Sequence, residues 1–348
     1  MSIKNIETKS RRLESICLER LHAKVKASRE LYVIDELIWR DRLVEELSII
    51  RNRKLSEVYL LLYDCVVPVA EKYPVTVRGR AAASFVIWLF GLCHYNPMRF
   101  GSGPEVFFGK DKDEDSYEEP LYFDFNISEI AKKDAVERIM AYLNVLPPPK
   151  ELQGPMDDRR PTWISLRTSC RNGNNVSWGE GFTHLGEGIM INITHSDWKY
   201  LKKESIISFY IHTDIERITK LAEFNGAVPQ NPEKDLRIFS LFTQEKARGL
   251  GLYGTDYVRN EILAYQQPEK LEDMVKILAL TQGLGARIIS QIQMIQAGMI
   301  RFNEVVATLE DVNGDRSGID YVFSAVHVAE YAWIALTLAW YRLRPDPS

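Results

Sequence analysis

The chain lacks most features that mark a secreted, metal-binding or membrane protein. Its 348 residues hold four cysteines, Cys17, Cys65, Cys93 and Cys170, none at a C-x-x-C spacing. A zinc site or a redox dithiol is therefore not indicated. Cys65 and Cys93 lie in apolar runs and read as buried thiols, which suits a reducing cytoplasm. Residues 1–12 are polar and basic, without the apolar stretch of a secretory signal. Long apolar runs are scarce too. Val328 to Trp340 is the most apolar late segment, but it contains Glu330 and is too short to span a bilayer. It reads as a buried helix, and no membrane is expected as a partner. Positive charge is also missing, since the formal net charge is -4. Proteins that grip duplex DNA through many phosphates usually carry a basic balance. Nucleic-acid binding is thus expected to be weak or local. The best local candidate is Arg159, Arg160, Arg167 and Arg171 with Trp163 among them, a stretch that also reads as a solvated loop.

Hydrophobic residues make up 45% of the chain, enough for a real core. Residues 13–50 show helical periodicity, followed by an apolar helix over 55–72 that Pro68 is placed to kink. Val75-Thr76-Val77 is a short strand-like run, and Ala81-Ala82-Ala83-Ser84 leads into a helix from Phe85 to Leu92. Leu121 to Phe125 reads as a strand, and Asn126-Ile127-Ser128 as the cap of a helix over 129–143. Residues 145–180, rich in Pro, Gly, Asn and Arg, read as a loop. Strand-like runs follow at Gly188–Thr194 and Ser205–Thr213, and helices at 256–265, 268–279, 284–298, 302–310 and 317–343. No internal repeat is visible. With strands between 75 and 215 and helices on either side, the pattern is α+β. Three segments are expected: 1–50 helical, 51–250 α+β with a variable insertion near 145–180, and 251–348 helical.

Several strand ends carry chemistry. Asp124 lies near the end of one strand and Asp214 follows another. Arg78-Gly79 opens a helix after a third. Two or three carboxylates on adjacent strands are what two-metal phosphoryl transfer requires, because they hold paired divalent ions. A glycine- and serine-bearing turn at a helix start can cradle phosphate. Each feature also has a plainer reading, as a turn residue or a helix cap. His212 and His195 near Asp214 read as ordinary strand-end histidines, and Asp111, Asp113, Glu114, Asp115, Glu118 and Glu119 as a solvated acidic loop. Gly249 to Gly254 is glycine-rich without a Walker pattern.

Order and spacing add a resemblance. Arg40 to Val86 contains Arg-Asp-Arg-Leu-Val-Glu-Glu-Leu-Ser-Ile-Ile, then Val-Arg-Gly-Arg-Ala-Ala-Ala-Ser-Phe-Val. This is similar to an R-L-x-x-E-L-x-x-I helix followed by an R-G-S-A-A-G-S phosphate turn. Leu121-Tyr122-Phe123-Asp124-Phe125-Asn126 stands where P-D-I-D-L-N would. His184 to Ile189 resembles H-P-G-G-I-I, and Phe209 to Thr213 resembles F-D-F-H-S. Lys220 to Phe224 falls on K-L-D-I-L, Tyr253 to Arg259 on G-T-x-F-V-R, and Phe323 to Tyr341 on a helix with F-x-K-x-H-x-x-x-Y. Together these resemble the palm and fingers of the bacterial C-family replicative DNA polymerase, the DNA polymerase III alpha subunit of the PolC/DnaE type. The resemblance implies a polymerase-beta-like nucleotidyltransferase palm with a mostly helical fingers-like lobe.

The departures fall on the chemistry that the resemblance implies. Tyr122 replaces the first aspartate of the D-I-D pair, and a neutral phenol is a poor Mg²⁺ ligand. The third aspartate falls on Ala222, with Glu223 one residue out of step, on the opposite face if this stretch is a strand. Asp124 remains. In the phosphate turn Arg78, Gly79 and Ser84 remain, while Arg80 and Ala83 replace a serine and a glycine. The fingers lysine falls on Ala325. Losses that cluster on catalytic positions while core patterning persists imply a fold kept without its original chemistry. The expectation is a catalytically impaired pseudo-polymerase, cytoplasmic, that binds or regulates in DNA replication or a mobile element. A protein partner, such as the replication machinery, is expected, and a homo-oligomer is compatible. No cofactor is expected. The alternative is a reduced but active nucleotidyltransferase using Mg²⁺ held by Asp124 with Asp214 or Glu223.

Overall fold

The computed structural model describes residues 3–29, 36–109, 121–142, 162–168, 183–184, 189–194, 205–281 and 325–344. The chain divides into two units, Met1–Glu216 and Arg217–Ser348. The sequence suggested divisions near 50 and 250. The helices over 3–29 and 36–52 lie within the first unit.

Helix α1 (Ile3–Arg29) buries Ser10, Leu13, Cys17, Leu21 and Val25, a three- and four-residue stripe. It packs on α2 (Glu36–Asn52), which turns Arg42, Leu43, Glu46, Leu47 and Ile50 inward. Helix α3 (Ser56–Leu61) runs through a π turn (Leu62–Val66) into α4 (Val67–Ala70). Pro68 explains the turn. It has no N–H to give to the preceding turn, and the wider winding before it, with Val67 N–H reaching back to Leu62 O, absorbs the missing bond. The kink expected at Pro68 is taken up in this way.

Strand β1 (Val75–Arg78) is followed by a 3₁₀ turn (Gly79–Ala83), α5 (Phe85–Leu89) and α6 (Glu105–Phe108). Next come β2 (Tyr122–Ile127) and α7 (Glu129–Tyr142), which Ser128 caps by accepting the Ala131 N–H at 3.4 Å. The remaining strands are β3 (Thr162–Thr168), β4 (Thr183–His184), β5 (Ile189–Thr194) and β6 (Ser205–Ile211), and α8 (Thr213–Asn225) follows. The six strands form one sheet in the order β1-β2-β6-β3-β5-β4. β2 and β6 are parallel, and the other neighbours are antiparallel.

Side-chain alternation divides the sheet into two faces. Val75, Val77, Phe123, Phe125, Ile127, Ile207 and Phe209 point to the core and are buried. Phe125 and Phe209 stack with ring centroids 5.7 Å apart, and Tyr59 of α3 meets Phe123 edge-on at 5.5 Å. Cys17, Cys65 and Cys93 are free and buried.

Two readings need correction. β3 lies inside the stretch read as loop; its aromatic and β-branched residues were outweighed by the flanking Pro and Gly. Lys220–Phe224, whose side-chain facing was considered for the case of a strand, belongs to α8, whose buried Ile215, Ile218 and Thr219 recur at helical spacing. In the second unit α9 (Leu271–Thr281) packs against α10 (Ala325–Arg342). The helices expected at 284–298 and 302–310 lie outside the described residues, as do Arg159, Arg160, Arg171, His195 and the acidic run over 111–119. Among the described residues, no helix is long and apolar enough to cross a membrane.

Candidate functional site

The face of the sheet opposite the core carries the polar residues. The register places Arg78 of β1 opposite Asp124 of β2, and Asp124 opposite Ser208 of β6. Two residues along on either strand, Tyr122, Asn126 and Tyr210 share that face, because side chains alternate with period two. Thr76 stands opposite Asn126, whose amide N–H donates to the Thr76 hydroxyl at 3.4 Å. The Asn126 Oδ1 is buried and has no hydrogen-bond partner among the described residues.

Asp124 is the only carboxylate that these three strands place on the face. The Ser208 hydroxyl donates to its Oδ1. Burial pushes the Asp124 carboxyl above the usual range, while the Ser208 hydrogen bond and the Arg78 charge oppose the shift without cancelling it. The Arg78 guanidinium lies over the Tyr210 ring, 4.4 Å from its centroid. Burial and the Asp124 charge push the Tyr210 phenol up to about 12, so it stays a neutral donor. His212, just beyond β6, accepts the Asp214 N–H on Nδ1 at 3.2 Å. Burial holds its imidazole pKa down, against the Asp214 charge and helped by Arg78.

The turn after β1 has an open end and a closed end. Gly79 opens it at φ +72°, a left-handed conformation that favours glycine. A Cβ there would stand 3.8 Å from Asp124 Oδ2, so the turn's backbone comes close to that carboxylate. Arg80 is half-buried beside it. Ser84, by contrast, is fully buried and fully engaged. Its hydroxyl donates to Glu46 and accepts from Ile87 N–H at 3.3 Å and from Tyr59 at 3.2 Å. Glu46 also accepts the Phe85 and Val86 N–H groups at 2.8 and 3.1 Å and pairs with Arg42 at 3.5 Å. Arg42 in turn donates to Ala83 O at 3.1 Å. The first N–H groups of α5 are thus met from inside the protein. Of the residues expected to bind phosphate, Arg78, Gly79 and Arg80 lie at the open end, and Ser84 is a core cap.

The other expected residues lie elsewhere. Asp214 is in the first turn of α8. Ala222 and the exposed Glu223 are further along that helix, within the second unit. Of the expected metal set, Asp124 and Asp214 belong to the first unit and Glu223 to the second; among the described residues no three His, Cys, Asp or Glu side chains form a group able to hold a metal ion. Three contributors were missed from the sequence: Glu46, Ser208 and Tyr210. Alternation in Ser205–Ile211 separates Ser208 and Tyr210 from Ile207 and Phe209, but only the pairing of β6 with β2 brings them to Asp124. Glu46 stands at the glutamate of the R-L-x-x-E-L-x-x-I resemblance, but no local signal points from it to Ser84.

Residues 11–141 match the family model described as the bacterial DNA polymerase III alpha NTPase domain. No curated protein matches the chain. The matched stretch runs from α1 into α7 and contains the Gly79 turn, Glu46 and Asp124. Over residues 11–141, less than half of its length, the chain is thereby similar to the bacterial DNA polymerase III alpha family.

Proposed function

We propose that this protein is a catalytically impaired relative of DNA polymerase III alpha, with a palm-like first unit, that acts by binding in DNA replication or in a mobile element. The observation that carries this reading is the single carboxylate on the polar face of β1, β2 and β6. Two-metal nucleotide addition needs several acidic oxygens to neutralise two dications. Here a phenol, Tyr122, stands two residues from Asp124 on the same face, and Arg78 sets a positive charge against the one acid present. Burial lowers the fraction of Asp124 that is ionised and weakens it further as a cation ligand. Partner binding, with the replication machinery as first candidate, replaces catalysis in this reading.

Primer extension tests it. The purified chain, with a primed template, all four dNTPs and either Mg²⁺ or Mn²⁺, is expected to add no nucleotide above a no-enzyme control. Incorporation that Asp124→Ala abolishes would overturn the proposal and favour a reduced, active nucleotidyltransferase.

A further inference from the structure

We propose that the groove between α2 and the turn over 97–104 docks a basic, amphipathic helix of a protein partner. This rests on the binding reading above and deepens it by naming the chemistry of that partner. The groove holds about 610 Å³ and lies within the first unit. Ile38, Asp41, Arg42 and Glu45 form one wall, and Met98 with residues 101–104 forms the other. Both walls are held in place. On its inner side α2 is anchored by Leu43, Glu46, Leu47 and Ile50, all buried. Opposite it, a 3₁₀ turn (Pro97–Phe100) is capped by Asn96, whose Oδ1 accepts the Met98 N–H at 2.9 Å. Arg53, just past the end of α2, donates to Phe108 O at 2.7 Å and ties the second wall to the first. A groove formed in advance avoids the ordering cost that weakens binding to mobile surfaces.

The wall is apolar and the rim is acidic. Leu37, Ile38 and Val44 are 67%, 53% and 61% exposed along the outer face of α2. Scattered exposed apolar side chains are ordinary, but three on one helical face beside a groove form a patch of the kind that marks a binding surface. Asp41 and Glu45 stand among them, one turn apart and both exposed. The Glu105 carboxyl lies against Gly103 on the other wall. None of these three acidic side chains makes an ion pair or a hydrogen bond among the described residues. Arg42 is the one cation in the lining, and its charge is already engaged. It is buried, donates to Ala83 O at 3.1 Å and pairs with Glu46 at 3.5 Å. The groove therefore carries unbalanced negative charge beside apolar surface. That combination repels phosphates and attracts a chain that bears both cations and apolar side chains. Lysines or arginines four apart on a helix match the Asp41–Glu45 spacing, and apolar residues between them meet Ile38, Met98 and Pro104. A helix fits better than an extended segment, because no residue lining the groove lies in a strand and there is no sheet edge to pair with.

The test is fluorescence anisotropy of the full chain with a labelled synthetic amphipathic helix made only of leucine and lysine. Saturable binding that weakens as salt rises is expected, and the same helix with glutamate in place of lysine should not bind. Asp41→Asn with Glu45→Gln should weaken binding about ten-fold. Glu19→Gln with Glu245→Gln removes the same charge from exposed positions elsewhere and should bind like the unaltered protein. Ile38→Gln should lose about five-fold. Equal binding of the glutamate helix, equal losses from the two double variants, or indifference to Ile38→Gln would overturn the groove as the docking site. A dimer of the chain that Ile38→Gln dissolves would give the groove to a second copy and overturn the partner helix. Primer extension separates this inference from the one it rests on. Extension refutes the impaired-catalysis reading whatever the helix does, and a chain that neither extends a primer nor binds the lysine helix refutes only the docking groove.

Discussion

Glu46 and Asp124 are both buried carboxyls with pKa values raised by burial, yet they are treated in opposite ways. Glu46 receives two backbone N–H groups, the Ser84 hydroxyl and the Arg42 guanidinium. Both carboxylate oxygens have donors, and the residue ties α2 to the start of α5. Asp124 receives one hydroxyl and a nearby charge that does not close into a hydrogen bond. A fully satisfied buried acid is part of the scaffold. An under-satisfied one on a sheet face is where a protein keeps a site for something else.

The contrast can be broken most sharply at Glu46. Glu46→Ala leaves the Arg42 charge buried without its counter-charge and two N–H groups without a partner, and should cost about 3–5 kcal/mol of unfolding free energy in a urea titration. Ser84→Ala removes one hydroxyl from the same network but leaves Glu46 its backbone donors. It should cost about 1–2 kcal/mol, measured in the same way. Asp124→Asn should act in the other direction and stabilise the protein by on the order of 1 kcal/mol at neutral pH, because a buried charge is removed. The pH dependence fixes the sign. A carboxyl whose folded pKa lies above its unfolded value binds its proton more tightly when folded, so its contribution is fully present below the unfolded pKa. It is lost as pH rises through the folded pKa. The gain from Asp124→Asn should therefore be near zero at low pH, grow as pH passes above the ordinary aspartate range, and then level off. A melting-temperature difference that is flat across that range would refute the assignment. The smallest effect belongs to the exposed Arg12–Asp64 pair, bonded at 2.7 and 2.9 Å. Arg12→Ala should shift stability by less than about 1 kcal/mol, and less still in high salt.

How much of this was legible in the sequence depends on distance along the chain. The helical character of 13–50, the β1 run, the strand at Asp124, the Ser128 cap and the interior character of Val328–Trp340 are local patterns that appear in the structure, although Leu37 and Ile38 of the periodic set are exposed. The strand geometry considered at Ala222 does not apply, because this segment is helical, and a short segment carries apolar spacing that both helix and strand accept. β3 was hidden by the composition of its neighbours. At the candidate site, Asp124, Arg78 and Gly79 were visible because they lie in ordered motifs. Ser84 was visible too, but with its role inverted, since no local signal says whether a serine hydroxyl faces a ligand or a buried glutamate 38 positions earlier.

The sequence alone determined the alternation that gives β2 and β6 one apolar and one polar face, and that Tyr122 and Ala222 stand where the resemblance implies aspartates. These follow from residue type and a two-residue period. Only the tertiary structure decided that Arg78, Asp124, Ser208 and Tyr210 stand together, and that Glu46 closes the turn at Ser84. Strand register and helix packing join residues 38 to 84 positions apart. Nothing in a local pattern encodes that pairing; it arises when apolar faces separated along the chain are buried against one another.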